Sequence, residues 1–463
     1  MIVRLEADYL VVGAGAMGMA FVDTLVAETD ATVVVVDRHH QPGGHWNVAY
    51  PYVRLHQPST GYGVNSRRLG GDAIDHQGGN AGLLELATAG EVCSYFDQVM
   101  QQTLLPTGRV RYHPMAVYEG DGRFRSLVTG DRAEVVVGRR VVDATYQLVS
   151  VPSMRPPPYE VGAGVACVAP NALTGPSERY QRYTVVGGGK TGIDACLWLL
   201  RHGVDADAMT WIVPRDSWLL DRALLQPGPL FADPIATAAA EYGRAVLDAQ
   251  SLDDLFERVE ASGRLLRLDP HVRPTMYRCA TVSHAELAQL RRITDVVRLG
   301  RVRRIDADEI TLDSGTVPTT PATLHVDCTA DGLARRPGVP VFESGRITLQ
   351  SVRTCQQVFS AAFIAHVEAA YTDDVVKNDL CVPVPHPNTD VDFVRNSVAD
   401  ARNERRWGDD PALQQWLDSS RLNWIRHLGP ALPTDPTERA DATRRRRAAT
   451  DVLSAKLETL LEA

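Results

Sequence analysis

Apolar positions along the chain fall into short unbroken runs, each followed by a longer stretch with helical period. Tyr9 to Val12 is such a run; glycines follow at positions 13, 15 and 18, and Met17 to Val26 supplies the apolar residues of a helix. Ala31 to Val36 is the next run, and it ends at Asp37. The same order returns later: Tyr183 to Val186, glycines at 187, 189 and 192, a helical stretch from Ile193 to Leu200, and Met209 to Val213 leading into Pro214 and Arg215. Continuous apolar runs of this length predict strands covered on both faces, as in a parallel sheet flanked by helices.

A tight turn with glycines at this spacing lets the backbone approach a pyrophosphate and aims the N-terminus of the next helix at it. The chain is therefore predicted to be α/β, with two Rossmann-like dinucleotide-binding domains. Gly13, Gly15 and Gly18 form the first candidate cradle, and Gly187, Gly189, Lys190, Thr191 and Gly192 the second. An acid at the end of the second strand, roughly 20 residues past the turn, can accept ribose hydroxyls and repels a 2'-phosphate. Asp37, with Arg38 beside it, selects FAD or NAD for the first cradle. Arg215 stands at the matching place in the second and offers a guanidinium fork to a 2'-phosphate, which favours NADPH. Two dinucleotides in one chain suggest electron transfer between them.

The stretch Gly43, Gly44, His45, Trp46, Tyr50, Pro51, Arg54, His56, Gln57, Pro58, Ser59 resembles the GGxW, YPxxR and PS run of flavin-containing and Baeyer-Villiger monooxygenases. Asp143-Ala-Thr145 and Asp327-Cys-Thr329 resemble the two crossover segments of that family, and Tyr62-Gly-Val-Asn65-Ser66 its Thr-Asn-Ser segment. The resemblance covers residues 8 to 370 as a pattern. It implies FAD bound along Gly44, His45, Trp46 and Gln57, NADPH on the second cradle, and Asn65, Arg54 and His56 as catalytic groups. It also implies a flavin C4a-hydroperoxide that oxygenates a small molecule. Between residues 160 and 182, where the family carries FxGxxxHxxxW or FxGxxxHxxxY, the chain reads Val161 to Ser177 with no Phe, His or Trp. His56 also replaces the Asp that many Baeyer-Villiger enzymes carry after the Arg. Oxygenation of nitrogen or sulfur is thus expected ahead of ketone oxidation. Two alternatives stay open: an NAD(P)H-dependent flavin dehydrogenase or oxidase that does not trap oxygen, and a non-catalytic dinucleotide sensor.

The organisation expected from these segments is a discontinuous FAD domain, 1–150 and 326–390, with an NAD(P)H domain inserted at 180–325. Within the latter, 225–290 reads as a helical insertion, and Arg301 to Val317 as strand pairs with turns. Prolines 152, 156, 157 and 158 mark an extended linker between the domains. Arg346 onward is strand-like, and Cys355 to Ala370 has helical period, opened by Gln356 and Gln357. Residues 391–463 form a helical extension in which Leu413 to Trp424 and Ala440 to Leu461 are amphipathic.

Composition changes little of this. A net charge of −9 offers no general attraction to nucleic acid or anionic membrane, and no apolar run reaches the ~18 residues a bilayer span needs. A cytoplasmic enzyme is expected, with homodimer contacts possible through the tail. The seven cysteines show no CxxC and are expected as separate reduced thiols. No metal site is expected: Asp72, Asp75 and His76 lie among glycines, a setting that suggests a mobile loop.

Overall fold

The computed structural model describes residues 3–175 and 180–462. Two sheets organise them, the first mostly parallel and the second wholly so. The first runs in the order Phe342–Glu343, Arg346–Thr348, Arg132–Asp143, Val3–Val12, Val33–Val36, Val110–His113. Its central strand sets Val12 opposite both Val36 and Asp143, so the first glycine turn, Asp37 and the Asp143 crossover emerge at one edge. Alternation along that strand explains its burial on both faces: Tyr9 and Val11 join the core under the helices, while Leu10 packs with Ala116 and Phe124 of the antiparallel hairpin behind it.

Helices Ala16–Glu28 and Gln357–Ala370 lie together on one face of this sheet. His366 Nδ1 meets Glu28 Oε2 at 2.7 Å near their C-terminal ends. The two helices therefore run parallel, and both N-termini open at the same sheet edge.

The second sheet runs Val296–Val297, Met209–Ile212, Arg182–Val186, Thr323–Asp327, Cys167–Val168, with every pair parallel. Strand Glu160–Val161 pairs with Val302–Ile305 in a neighbouring small sheet that also holds Glu309–Leu312 and Gly315–Pro318. The second unit thus takes in chain from Glu160 onward, and its strand Thr323–Asp327 runs past residue 325. Of the stretch Val161 to Ser177, where the family signature is missing, residues 176 and 177 lie outside the described residues.

Residues 225–290 hold helices Ala232–Asp248 and Leu252–Ala261, and also strand Met276–Val282, parallel to Ser217–Asp221. The C-terminal helices Val391–Trp407 and Pro436–Glu462 pack on this insertion through Phe393, Val394, Leu457 and Leu460, which share a core with Trp218 and Phe256. The amphipathic stretch expected to reach Trp424 stops sooner. Its helix spans Pro411–Ser419, and Trp424 begins a separate turn, Trp424–His427. Ser420 leaves the helix with extended backbone, ψ 112°, and Arg421 after it donates to the carbonyls of Thr60, Tyr62 and Val64 at 2.7–2.8 Å.

The cysteines require a correction. Cys279 and Cys355 form a disulfide, with Cα atoms 6.6 Å apart and the two residues 76 positions apart in sequence. The expectation of seven separate thiols rested on local spacing, which carries no information about a pair brought together only by the tertiary fold. The remaining cysteines, Cys93, Cys167, Cys196, Cys328 and Cys381, are free. Among the described residues no helix is long and apolar enough to cross a membrane, and no cluster of side chains has metal-binding geometry.

Candidate functional site: a cleft between two glycine cradles

Each glycine turn has the same build. Gly13 and Gly187 take φ of 104° and 123°, a region that side chains disfavour. A Cβ on Gly18 would run into the Gly13 carbonyl, and one on Gly192 into that of Gly187, so the helix backbone packs directly on the turn. Gly15 and Gly189 cap helices Ala16–Glu28 and Lys190–Arg201 without any side-chain bond, leaving the first N–H groups free for an anion. A Cβ on Gly189 would meet nothing within 4 Å, and one on Gly44 would come 2.9 Å from Gly15 Cα. The paired glycines 43 and 44 therefore lie against the first turn.

Both cradles are backed by an Asp-x-Thr turn. Asp143 Oδ1 accepts from Thr145 N and Oγ1 at 2.9 and 2.7 Å; Asp327 Oδ1 accepts from Thr329 N and Oγ1 at 3.2 and 2.6 Å. A Cβ on Gly13 would touch Thr145 at 3.1 Å, and one on Gly187 would lie 2.7 Å from the Cys328 carbonyl oxygen. Crossover and cradle thus form one local unit, used twice.

The charges at the two second-strand ends differ. Asp37 Oδ2 accepts from Ala14 N at 2.6 Å, while Oδ1 accepts from His39 N at 2.7 Å and meets His39 Nδ1 at 2.9 Å. Of about four acceptor positions on a carboxylate, this leaves one for a ribose hydroxyl. Arg38 is exposed beside it. In the second unit Arg215 donates to Asn388 Oδ1 at 3.0 Å. Burial, and then the neighbouring guanidiniums of Arg335, Arg301 and Arg278, lower its pKa. Four guanidiniums gathered around one strand end, with Asp331 the carboxylate among them, make a site for a phosphate dianion.

Between the cradles polar side chains of the two units converge, and we refer to this region as the cleft. Tyr50 donates to Asp194 Oδ2 at 2.8 Å, and Lys190 Nζ binds the same oxygen, so the two units are tied here. Lys190 is thereby held in an ion pair with Asp194 and does not project freely toward a phosphate; Thr191 is half-buried next to it. His56 sits beside Lys190, Arg222 and His386. Burial, then the charges of Lys190 and Arg222, lower its pKa to about 3, so it is neutral near pH 7. Its Nδ1 and the Tyr52 hydroxyl are buried with no hydrogen-bond partner among the described residues. His45 is likewise held neutral, with its pKa lowered to about 4 mainly by burial. It stacks on Trp46 at 5.3 Å, and Trp46 Nε1 donates to Tyr62 Oη at 2.8 Å. Gln57 is half-buried next to His56.

The three candidate catalytic residues are not brought together. His56 faces the cleft. Arg54 is half-exposed and reaches Asp75 at 3.7 Å. Asn65 accepts from Ser420 Oγ at 3.0 Å and donates to Thr24 Oγ1 at 3.4 Å, partway along the first helix and away from its N-terminus.

Several residues of the site were not singled out in the sequence. Asp194, four positions after Lys190, had a helical ion-pair signal. Arg222, by contrast, is read in the sequence as added positive charge for the second cradle; it is buried, donates to the His56 carbonyl at 3.2 Å and pairs with Glu286 at 2.7 Å. Trp424 donates to Gln356 Oε1 at 3.1 Å at the start of helix Gln357–Ala370, and a Cβ on Gly61 would lie 2.6 Å from its indole.

Residues 11–54 match the family model for a NAD(P)-binding Rossmann-like domain. Uncharacterized protein Rv2000 of Mycobacterium tuberculosis (strain ATCC 25618 / H37Rv) and uncharacterized protein Mb2023 of Mycobacterium bovis are each 60% identical to this chain over 435 residues, covering 94% of it and 81% of the relative. Among solved structures the chain is similar to cyclohexanone monooxygenase bound to epsilon-caprolactone, at 13% identity and TM-score 0.47 over 97% of each chain. It is also similar to flavin-containing monooxygenase from Stenotrophomonas maltophilia, at 15% identity and TM-score 0.44 over 79% of this chain and 97% of that one. By its 60% identity to the mycobacterial proteins over 94% of its length, this chain belongs to their family.

Proposed function

We propose that this chain is an FAD-dependent, NADPH-consuming monooxygenase that oxygenates a nitrogen or sulfur atom of a small molecule. The observation that carries this reading is the doubled cradle with opposite charge at its two selector positions. FAD belongs on the first, where Asp37 retains an acceptor for a ribose hydroxyl, and NADPH on the second, where Arg215 and its neighbours suit a 2'-phosphate. The residues present fit both groups. Uncapped helix N-termini face each turn, Gly189 borders open space, and His56 Nδ1 and Tyr52 Oη are buried without partners in the cleft between.

FAD, when bound, supplies the electron transfer and the activation of oxygen. The chain binds the two phosphate groups at the helix ends and excludes water with Trp46, Tyr50, Tyr52 and Tyr62. His56 supplies a neutral imidazole in the cleft, able to accept or donate a hydrogen bond without placing a cation there. One observation favours a second reading, a flavin dehydrogenase or oxidase that does not trap oxygen: both ends of the Asn65 amide are occupied by Thr24 and Ser420.

Stoichiometry separates the two. NADPH consumption and hydrogen peroxide release are measured with and without a panel of amines and thioethers. A monooxygenase releases less peroxide per NADPH when its substrate is present, and an oxygenated product appears; an oxidase releases equal amounts throughout.

A further inference from the structure

Polar contacts between the two units converge on one arginine. Arg222 opens a short turn, Arg222–Leu225, that follows strand Ser217–Asp221 and is capped by Asp221, which accepts from Ala223 N at 3.0 Å. It is 2% exposed. Its Nε donates to the His56 carbonyl at 3.2 Å, Nη1 to Asn80 Oδ1 at 3.1 Å, and Nη2 to the Thr281 carbonyl at 3.3 Å and to Glu286 Oε2 at 2.7 Å. Four of the five guanidinium N–H groups are thereby engaged, so Arg222 is not free for a phosphate on the second cradle. His56 and Asn80 belong to the first unit, Thr281 and Glu286 to the second. The surroundings brace this contact. Asn80 Nδ2 donates to Asp75 Oδ2 at 2.7 Å and to the Leu84 carbonyl at 2.9 Å. Gln226 accepts from Leu84 N at 2.8 Å and donates to the Arg222 carbonyl at 2.9 Å. The glycine-rich stretch from Asp72 to Leu84, expected as a mobile loop, is therefore bonded to the second unit.

His56 is the member of this network that faces the cleft. Its backbone is fixed on two sides: Leu55 N, one residue earlier, donates to the Ala87 carbonyl at 2.9 Å, and the His56 carbonyl is held by Arg222. The imidazole has no such hold, since Nδ1 is buried without a hydrogen-bond partner among the described residues. A polar nitrogen stays in such a place only where the surrounding structure enforces it. The charged and titratable groups around the ring are Lys190, paired with Asp194, Arg222, paired with Glu286, and His386. We infer that Arg222 is the positioning residue for His56: reaching from the second unit, it grips the His56 carbonyl and so holds the imidazole beside Lys190 at the second cradle. This rests on the reading of His56 as a group of the NADPH-fed cleft. A lysine would not serve in its place. The three donors of an ammonium leave from one atom, whereas the acceptors here are spread around a planar fork, so a single substitution separates charge from grip.

The test reads the His56 ring itself. The full chain, incubated with FAD and carrying isotope-labelled histidine, is titrated by NMR from pH 8 to pH 5, with the His56 signal assigned from a His56→Asn sample. In the wild type the ring is expected to stay neutral throughout, because burial, and then the charges of Lys190 and Arg222, lower its pKa to about 3. In Arg222→Lys the charge remains and the grip is lost. His56 is then expected to reach water and to titrate near its ordinary 6.5, and flavin reduction at saturating NADPH to slow by roughly ten- to a hundredfold with little change in KM. The Arg222→Met/Glu286→Gln double variant removes both charges of the buried pair together, which proteins tolerate better than the loss of one, and repeats the test if the lysine variant does not fold. Burial is the larger cause of the low value, so a ring that kept its place would remain neutral at pH 5 in either variant. A neutral His56 in a folded variant therefore overturns this inference and leaves the proposed function standing; so does a wild-type His56 that already titrates near 6.5. Absence of flavin reduction by NADPH in the wild type defeats the proposed function, while the titration, which needs no turnover, still decides whether Arg222 holds His56.

Discussion

The Tyr50 hydroxyl donates to Asp194 Oδ2 across 2.8 Å, and through that bond the aromatic stretch of the first unit is fastened to the first helix of the second. Burial and the nearby carboxylate raise the Tyr50 pKa well above its usual value, so it remains a donor throughout the accessible pH range. A hydrogen bond to a charged acceptor contributes about 1.5–3 kcal/mol. Tyr50→Phe is expected to lower the urea unfolding midpoint accordingly. Because the two residues touch, Tyr50→Phe and Asp194→Asn should be non-additive, with a coupling of about 1 kcal/mol. Strict additivity would show that the contact does not hold the units together.

Arg215 and its neighbours are expected to discriminate between coenzymes. Arg215→Ala should raise KM for NADPH by roughly tenfold or more, the equivalent of one lost charge-assisted bond, and leave KM for NADH nearly unchanged. Equal effects on both would reject the 2'-phosphate assignment.

Gly61 and Trp424 are in direct contact, since a Cβ on Gly61 would fall 2.6 Å from the indole. Gly61→Ala is expected to destabilise the protein by about 1–3 kcal/mol through overpacking. Trp424→Leu in the same chain should recover part of that loss. A neutral Gly61→Ala would mean that the tail does not bear on the 59–62 loop.

Acid should destabilise the protein before its carboxylates protonate. His45, His325 and His386 have pKa values lowered to about 4 and His56 to about 3, from a usual 6.5, chiefly by burial. Between pH 6.5 and about 4 the unfolded chain binds protons at these positions and the native one does not. Stability from this source is therefore complete above pH 6.5 and is lost as pH falls through that window. Asp400 acts in the opposite sense, because burial raises its pKa to about 6 from 3.8 and the native state binds the extra proton over 3.8–6. Four histidines outweigh one carboxyl, so the urea midpoint at pH 5 should lie below that at pH 7. His325→Phe, in the second sheet and away from the cleft, should flatten the dependence between pH 7 and pH 5 by about 2 kcal/mol. A midpoint that rises toward pH 5 would contradict these assignments.

The legible parts of this fold are the local ones. Gly13, Gly15 and Gly18, and their counterparts 187, 189 and 192, sit within single turns, so their spacing states their geometry, and the strand and helix periods around them place each cradle at a sheet edge. Asp143-x-Thr145 and Asp327-x-Thr329 were visible for the same reason. Long-range pairings were not. Cys279 and Cys355 meet only when the insertion of the second unit folds against the chain entering helix Gln357–Ala370, and Arg421 finds the 60–64 carbonyls from more than 350 residues away. The displacement of Asn65 from the cleft has the same origin: its partner Ser420 lies in the tail, where no family pattern extends.

The most direct measurement is the visible spectrum of the purified protein after incubation with FAD and removal of the excess, followed by anaerobic addition of NADPH and, separately, NADH. One tightly held FAD per chain is expected, bleached faster by NADPH than by NADH. A colourless protein that retains no FAD would contradict the assignment of the first cradle, and with it the proposed chemistry.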